Sequence, residues 1–275
     1  MENELDVKVT VVIMTYNREK FIQRAINSVV NQILKNWKLL IMDDCSTDNT
    51  KDIIEPFLKQ DNRITYYRLP KNVGICRVLN QALKLVDTKY MVQLDSDDWL
   101  EEIALEKLLN AMEKEKDDVA LAYGNHKVWK SEEKGKIKKQ RSFTTEEKYE
   151  LLCHPEVYYP RFYRTQCLRD VGGWNENDKY NGRYMEDRRI QFKLIEHYHF
   201  LGVDEHLYNL NRYIKKRQTS SENRHKYIEL KKELIVYYLQ KWGEEYTPEF
   251  SIQEARWLRT TLIPKEKETS KTRNT

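Results

Sequence analysis

Met91 to Leu100, MVQLDSDDWL, is an apolar run that ends in three carboxylates, Asp95, Asp97 and Asp98, with Ser96 between the first two. Carboxylates crowded this closely repel one another, and folded proteins rarely gather them without a cation to hold them. Hard divalent ions that also bridge phosphate oxygens are the usual partners of such a turn. The stretch predicts a buried strand whose carboxyl end delivers a metal–diphosphate site, with the preceding segments building a pocket for the attached nucleotide.

Those segments alternate between strand and helix. Val7 to Met14, VKVTVVIM, is β-branched and nearly all apolar, as a strand buried on both faces of a parallel sheet should be. It stops at Thr15-Tyr16-Asn17-Arg18. From Glu19 to Val30, Phe21, Ile22, Ala25, Ile26, Val29 and Val30 recur at helical spacing. Trp37 to Met42 is a second strand, ending at Asp43-Asp44. A helix through Ile53, Ile54 and Phe57 follows, then a third strand at Arg63 to Leu69. After a turn at Asn72-Val73-Gly74, a helix carries Leu79, Ala82, Leu83 and Val86, and Lys89 to Leu94 is the fourth strand. This alternation implies right-handed crossovers and a parallel sheet, which binds ligands at the carboxyl ends of its strands. Polar clusters stand at three of those ends.

Beyond the acidic turn the spacing predicts a helix from about Glu101 to Lys116, with Asp98 as its cap. A short strand follows at Val119 to Tyr123. Lys127 to Arg141 is highly basic and holds Gly135, as in an exposed hairpin or loop. Tyr158 to Tyr163 is strand-like, Val171-Gly172-Gly173-Trp174 a turn, and Glu186-Asp187 opens a helix with Ile190, Phe192, Leu194 and Ile195. His199 to Tyr213 supplies strand and loop. From about Asn223 to Trp242, residues Tyr227, Leu230, Leu234, Tyr237, Tyr238 and Trp242 form one helical stripe, and Pro248 to Trp257 starts a short helical element. The final KEKETSKTRNT, charged and without apolar groups, predicts a disordered tail.

Composition bounds the class. Of 275 residues, 40% are hydrophobic and 33% charged, a soluble globular balance with a heavily charged surface. The net charge of +4 leaves the signs nearly cancelled, so no nucleic-acid partner is expected. Cys45, Cys76, Cys153 and Cys167 form no CxxC pair and suit reduced thiols. The amino terminus MENELDVK lacks an apolar signal core, and no segment has the length of apolar sequence that a bilayer requires. A cytoplasmic protein is expected, with peripheral contact at the inner face of the membrane left open.

Taken in order, VTVVIMTYNREKFIQRAINSVVNQ, LLIMDDCSTDNT, LDSDDW, RFYRTQCLRDVGGW and YMEDRRIQFKL resemble the family 2 glycosyltransferases with the GT-A fold, over roughly residues 7 to 215. The resemblance implies an α/β chain with a Rossmann-like, mostly parallel sheet covered by helices on both faces, plus a C-terminal helical extension. It divides the chain into a nucleotide-sugar-binding half (1–99), an acceptor-binding and catalytic half (100–215), the helical extension (216–264) and a tail (265–275). It implies an inverting, hexosyltransferase-type enzyme that moves a sugar from a nucleoside-diphosphate sugar, with UDP favoured, to a hydroxyl of a glycan, lipid-linked or peptide acceptor. Mn²⁺ or Mg²⁺ is the implied cofactor.

Residue by residue, the resemblance sets Thr15, Tyr16 and Arg18 around the donor's base, ribose and phosphates, and Arg77 near the nucleotide. Asp44 accepts the base's imide hydrogen, which favours uracil or thymine; Asp43 does this instead or fixes the turn. Asp95 contacts ribose or a water on the metal, Ser96 lies between the two acids, and Asp97 ligates the metal. Asp187 is the implied base, with Glu186 contacting or orienting the acceptor. Acidic residues at a helix start are also stabilised by the macrodipole, so a structural role stays open for both. Trp174 is either a sugar-facing wall or a core residue. In NRYIKKRQTSS, Arg212 matches the family's diphosphate-binding Arg, but Ile214 stands where many relatives have a His. Lys215, Lys216 and Arg217 are offered instead, and a third metal ligand is in doubt; His206 is nearby. A homodimer through the C-terminal helix also stays open.

Two other classes compete. A sugar nucleotidyltransferase normally carries a glycine-rich phosphate loop after its first strand, and TYNREK has no glycine. A non-catalytic nucleotide-sugar-binding protein keeps Asp44 and Asp97 but loses its base, whereas Glu186-Asp187 is present.

Overall fold

The structure, a computed structural model, describes residues 7–131, 135–154, 157–212, 223–253 and 257–265. It divides into two units, Met1–Lys148 with Glu156–Arg217, and Tyr149–Pro155 with Gln218–Thr275. The segments on either side of residue 99 share one sheet in the first unit.

That unit begins with β1 (Val9–Thr15), α1 (Ile22–Val30), β2 (Trp37–Asp43), α2 (Thr50–Gln60), β3 (Ile64–Arg68), α3 (Ile75–Leu85) and β4 (Tyr90–Asp95). The four strands lie parallel in the order β3-β2-β1-β4. Val9, Val11 and Ile13 pack into one cluster with Ile22, Ala25 and Ile26 of α1 and Ile54 of α2. Alternate residues face the other way, towards α3, which packs on β1 and β2 with Cys76, Leu79 and Ala82 buried. Helices on both faces leave β1, β2 and β4 almost no solvent side, which is why their sequences are nearly all apolar, whereas the edge strand β3 exposes Tyr67 and Arg68.

The parallel part stops at β4. Past β5 (Trp99–Leu100) and α4 (Ala104–Met112) come β6 (Val119–Trp129), β7 (Gly135–Lys138), α5 (Lys148–Cys153), β8 (Tyr159–Arg164), α6 (Thr165–Asp170), α7 (Glu186–Ile195) and β9 (His199–Asn211). β8 is antiparallel to β4 and to β6, β9 is parallel to β6, and β5 closes antiparallel on β9. β6 runs well past Tyr123 because β9 pairs with it to Trp129↔Asn211, so tertiary pairing extends a strand through the polar Asn125, His126 and Lys127. The basic segment folds partly as a β6–β7 hairpin, with Trp129 opposite Gly135.

Register fixes where the site must lie. Thr15 pairs with Asp43, Asp43 with Arg68, and Met14 with Asp95. The carboxyl ends of four parallel strands therefore finish at one rim.

The second unit holds α5 apart from its first residue, α8 (Arg224–Lys241), β10 (Tyr246–Gln253) and β11 (Trp257–Pro264). Leu230, Ile235, Tyr238 and Leu239 are its buried helix positions, whereas Tyr237, expected on the apolar stripe, is exposed. The helical element expected at Pro248 to Trp257 is instead strand: β10 and β11 pair antiparallel, Phe250 opposite Thr260. β-branched and aromatic residues along both runs suit a pleated surface, and Pro248 is tolerated in a two-stranded ribbon that has no further neighbour to bond. Residues 266–275, where a tail was expected, lie outside the described residues.

Candidate active site

From β1, Thr15 is buried and its carbonyl accepts the Asp44 N–H at 2.9 Å. Tyr16 is 43% exposed and presents a ring at the rim. The Arg18 N–H donates to Thr50 Oγ1 at 2.9 Å, while its guanidinium turns back on the carbonyls of Tyr16 and Asn17.

From β2, fully buried Asp43 accepts the Ser46 N–H at 2.8 Å and the Tyr66 hydroxyl at 2.7 Å. In this structure it fixes the turn. Asp44 accepts the N–H groups of Val73 at 2.7 Å and Gly74 at 2.9 Å, one on each carboxylate oxygen. Burial raises its pKa, opposed by those two N–H groups and by Arg183. Each oxygen keeps a further lone pair. Gly74 has φ +90, and a Cβ there would come within 2.9 Å of Arg183 Cγ, so this turn needs glycine. Arg183 in turn donates to Asn72 Oδ1 at 2.7 Å. Arg77 ties α3 to the loop that precedes α7, donating to the Asn181 carbonyl and lying 3.5 Å from the Glu176 carboxylate.

At the end of β4 the Asp98 N–H donates to the Asp95 carbonyl at 3.0 Å, making a tight turn in which Ser96 is buried and Asp97 half-buried. Arg24 braces it: Nη2 donates to the Asp97 carbonyl, and the guanidinium lies 3.7 Å over the Trp99 ring. Asp98 does not cap the next helix. β5 intervenes, α4 starts only at Ala104, and Asp98 accepts the Tyr208 hydroxyl at 2.8 Å and the Asn211 N–H at 2.7 Å. Its reach is long because β9 comes alongside. Burial, with Asp97 and Asp95 beside it, pushes its pKa well up.

Glu186 and Asp187 open α7. Met185 before them is left-handed at φ 58, an uncommon conformation for a side-chain-bearing residue and one that functional loops retain. Burial and then neighbouring Asp187 push Glu186 up to about 8. Burial also raises Asp187, opposed by Arg161, by the Arg188 N–H and by the Arg188 charge. The two carboxyls titrate as a pair with a raised affinity for protons, and Arg161 with the Arg188 N–H favours the charged form at Asp187.

Arg161 joins this pair to the acidic turn. It sits on β8, 1% exposed, with Nη2 2.7 Å from Asp95 Oδ1 and Nη1 3.9 Å from Asp187 Oδ2. The sequence reading gave it no role, although a charge inside the aromatic strand Tyr159 to Arg164 was the signal: an arginine is buried only with partners.

Trp174 is 2% exposed and packs edge-on against Tyr163, which makes it a core residue in this structure. Asn80 holds its loop, donating to the Trp174 carbonyl and accepting its N–H, both at 2.8 Å. Arg212 is exposed beyond β9, with its N–H donated to the Trp129 carbonyl. Lys215, Lys216 and Arg217 lie outside the described residues. His206 faces the Tyr208 carbonyl and Glu101, a structural setting.

Among the described residues no group of three His, Cys, Asp or Glu is arranged to hold a metal ion. A divalent ion still fits the turn, because Mg²⁺ and its like take one or two carboxylates and complete their shell with phosphate oxygens and water. Asp95, Asp97 and Asp98 stand together in this turn, where burial first, and then the charges of Asp97 and Asp95, raise Asp98.

Raised carboxyl pKa values also set the pH dependence of stability. Asp44, Asp98, Glu186 and Asp187 bind their protons more tightly folded than unfolded. Their contribution is fully present below the unfolded pKa and is lost as pH rises through the folded one. Groups with depressed pKa, such as Glu113 held down to about 2 by Lys8, Lys89 and Tyr90, already contribute fully above pH ~5. The melting temperature without metal should therefore fall between pH 5.5 and 8.5, by the equivalent of roughly 1–3 kcal/mol, and Glu186→Gln should flatten the fall. A thermal melt series checks this, and a wild-type profile that is flat or rises would contradict it.

Comparison with known proteins identifies the family. The model of glycosyl transferase family 2 matches residues 10–172, more than half of the chain. The chain belongs to glycosyl transferase family 2. It is 38% identical over 104 residues to the putative teichuronic acid biosynthesis glycosyltransferase TuaG of Bacillus subtilis, a match covering 38% of this chain and 41% of that protein. The chain thus matches under half the length of that curated relative. Among solved structures it resembles S. aureus TarS bound to UDP-GlcNAc, with a TM-score of 0.67 and 22% identity over 84% of this chain and 66% of that one. It also resembles the mannosyltransferase PcManGT of Pyrobaculum calidifontis in complex with GDP-Man and Mn²⁺, with a TM-score of 0.57 and 16% identity over 78% of this chain and 59% of that one. These likenesses establish the GT-A fold for this family 2 chain. Among the described residues no helix is long and apolar enough to cross a membrane.

Proposed function

We propose that this family 2 chain is an inverting, hexosyltransferase-type enzyme that transfers a sugar from a UDP-sugar to a hydroxyl of a glycan, lipid-linked or peptide acceptor. One observation carries the reading: a single buried arginine lies between the acidic turn of β4 and the Glu186-Asp187 pair, so leaving-group and proton chemistry adjoin.

In this reading the uracil imide N–H donates to a remaining lone pair of Asp44, and Tyr16 offers its exposed ring to the base. Thr15 and Arg18 line the same rim, and Asp95 and Ser96 face the ribose. Arg212, with Lys215 and Arg217 beyond it, meets the diphosphate. Asp187 takes the proton from the acceptor hydroxyl as its oxygen bonds to the anomeric carbon and the bond to the diphosphate oxygen breaks on the opposite face. Protonated Glu186 donates a hydrogen bond to the acceptor. Mn²⁺ or Mg²⁺, held by Asp97, would offset charge on the departing diphosphate. The likeness to TarS with UDP-GlcNAc supports a uridine donor.

A panel of uridine, guanosine, cytidine and thymidine diphosphate sugars with Mn²⁺, scored by thermal shift and slow donor hydrolysis, tests the donor. A uridine donor should stabilise most, and Asp44→Ala should remove the base preference. Preference for a guanosine or cytidine donor would overturn the role of Asp44.

A further inference from the structure

Buried arginines are costly unless their charge is answered, and Arg161 is answered twice. Its guanidinium bonds Asp95 at 2.7 Å through one terminal nitrogen and faces Asp187 at 3.9 Å through the other. The register makes this placement unavoidable: β8 lies antiparallel beside β4 with Gln93 opposite Arg161, so the arginine shares the sheet face of Asp95, two residues on from Gln93. An aromatic collar holds the plane of the group. Arg161 lies 4.8 Å over the Tyr159 ring, Tyr159 stacks on Tyr208 at 4.9 Å, and the Tyr208 hydroxyl is bound by Asp98. A planar fork can address two carboxylates in fixed directions, which a lysine cannot.

We propose that Arg161 is a positioning residue that sets the catalytic base and the donor-binding turn in register, keeping Asp187 as an oriented carboxylate while it holds Asp95. The inference rests on the reading of Asp187 as base. Asp187 is faced by Arg161, Tyr159 and Tyr163 from β8, Asp95 from β4, and Glu186 and Arg188 on its own helix. Arg161 is the cation reaching it from the sheet. Without it, Asp187 keeps the repulsion of Asp95 and loses the main charge opposing its protonation.

The test uses the full chain with Arg161→Lys, which keeps the charge and loses the fork, and with Arg161→Gln. Thermal melts check that both fold; the glutamine variant leaves buried carboxylates without their cation and is the one at risk. In Arg161→Lys the acid limb of the kcat/KM profile should move up by about one pH unit, so that kcat/KM measured on that limb falls by up to about 10-fold. KM for the donor should change less than threefold. A purely structural arginine would lower stability and leave the limb in place. Carbon-13 titration of Asp187 in labelled, metal-free protein, assigned with Asp187→Asn, needs no turnover. Its midpoint should rise by at least half a unit in either folded variant. An unshifted midpoint together with an unshifted limb overturns the proposal. If no sugar donor is ever turned over by the wild type, the transferase reading fails while the titration still decides the role of Arg161.

Discussion

Asp187→Asn should lower transfer by about 10²–10⁴-fold while leaving UDP affinity within threefold of the wild type. The substitution keeps shape and removes only the capacity to take a proton. Asp187 lies on the first turn of α7, reached from the acidic turn through Arg161, so a donor held at the β4 turn should not sense the change. If the carboxylate served only to answer the helix dipole, asparagine would cost about 0.3–1 kcal/mol of stability and turnover would survive. Single-turnover rates, calorimetric UDP binding and a thermal melt separate the two. Turnover within tenfold of wild type would remove Asp187 from the mechanism. Glu186→Gln offers the internal contrast: glutamine can still donate a hydrogen bond as protonated Glu186 does, so it should retain far more activity.

Much of the fold was legible because β1, β2 and β4 are buried on both faces and their sequences are nearly all apolar. The polar residues at their ends could then be read as one rim, and the register of Thr15, Asp43 and Asp95 puts them there. What could not be read depends on partners distant in sequence. Asp98 looked like a helix cap because the nearest helix was the only visible partner, yet its bonds go to Tyr208 and Asn211 on β9. The continuation of β6 beyond Tyr123 is owed to the same strand. Arg161 opens the segment RFYRTQCLRDVGGW, and nothing in the linear sequence shows which carboxylates lie beside a buried cation. The β10–β11 pair was missed for a different reason: the spacing from Pro248 to Trp257 is too short to separate periods of 2 and 3.6. Trp174 was left between wall and core, and only its packing on Tyr163 separates these.

Three acids in one turn invite a single description, but their surroundings give them different chemistry. Asp95 is answered by Arg161 and Asp98 by a hydroxyl and a backbone N–H. Asp97, half-buried in the same turn, is the carboxylate proposed to hold the cation. Asp97→Ala should therefore reduce the Mn²⁺-dependent part of UDP binding by roughly 10–100-fold or more, since even residues one shell out from a metal produce losses of that size. Binding without metal should be little changed, and so should the melting temperature without metal. Asp98→Asn should do the reverse, lowering stability by about 1–3 kcal/mol by disturbing a buried pairing, while the folded fraction keeps its response to Mn²⁺. Calorimetric titration of UDP with and without Mn²⁺, run beside a melt of each variant, reads both effects. A metal response that survives Asp97→Ala and disappears with Asp98→Asn would move the ligand one residue along the turn, and a response unchanged in both would remove the cation from it.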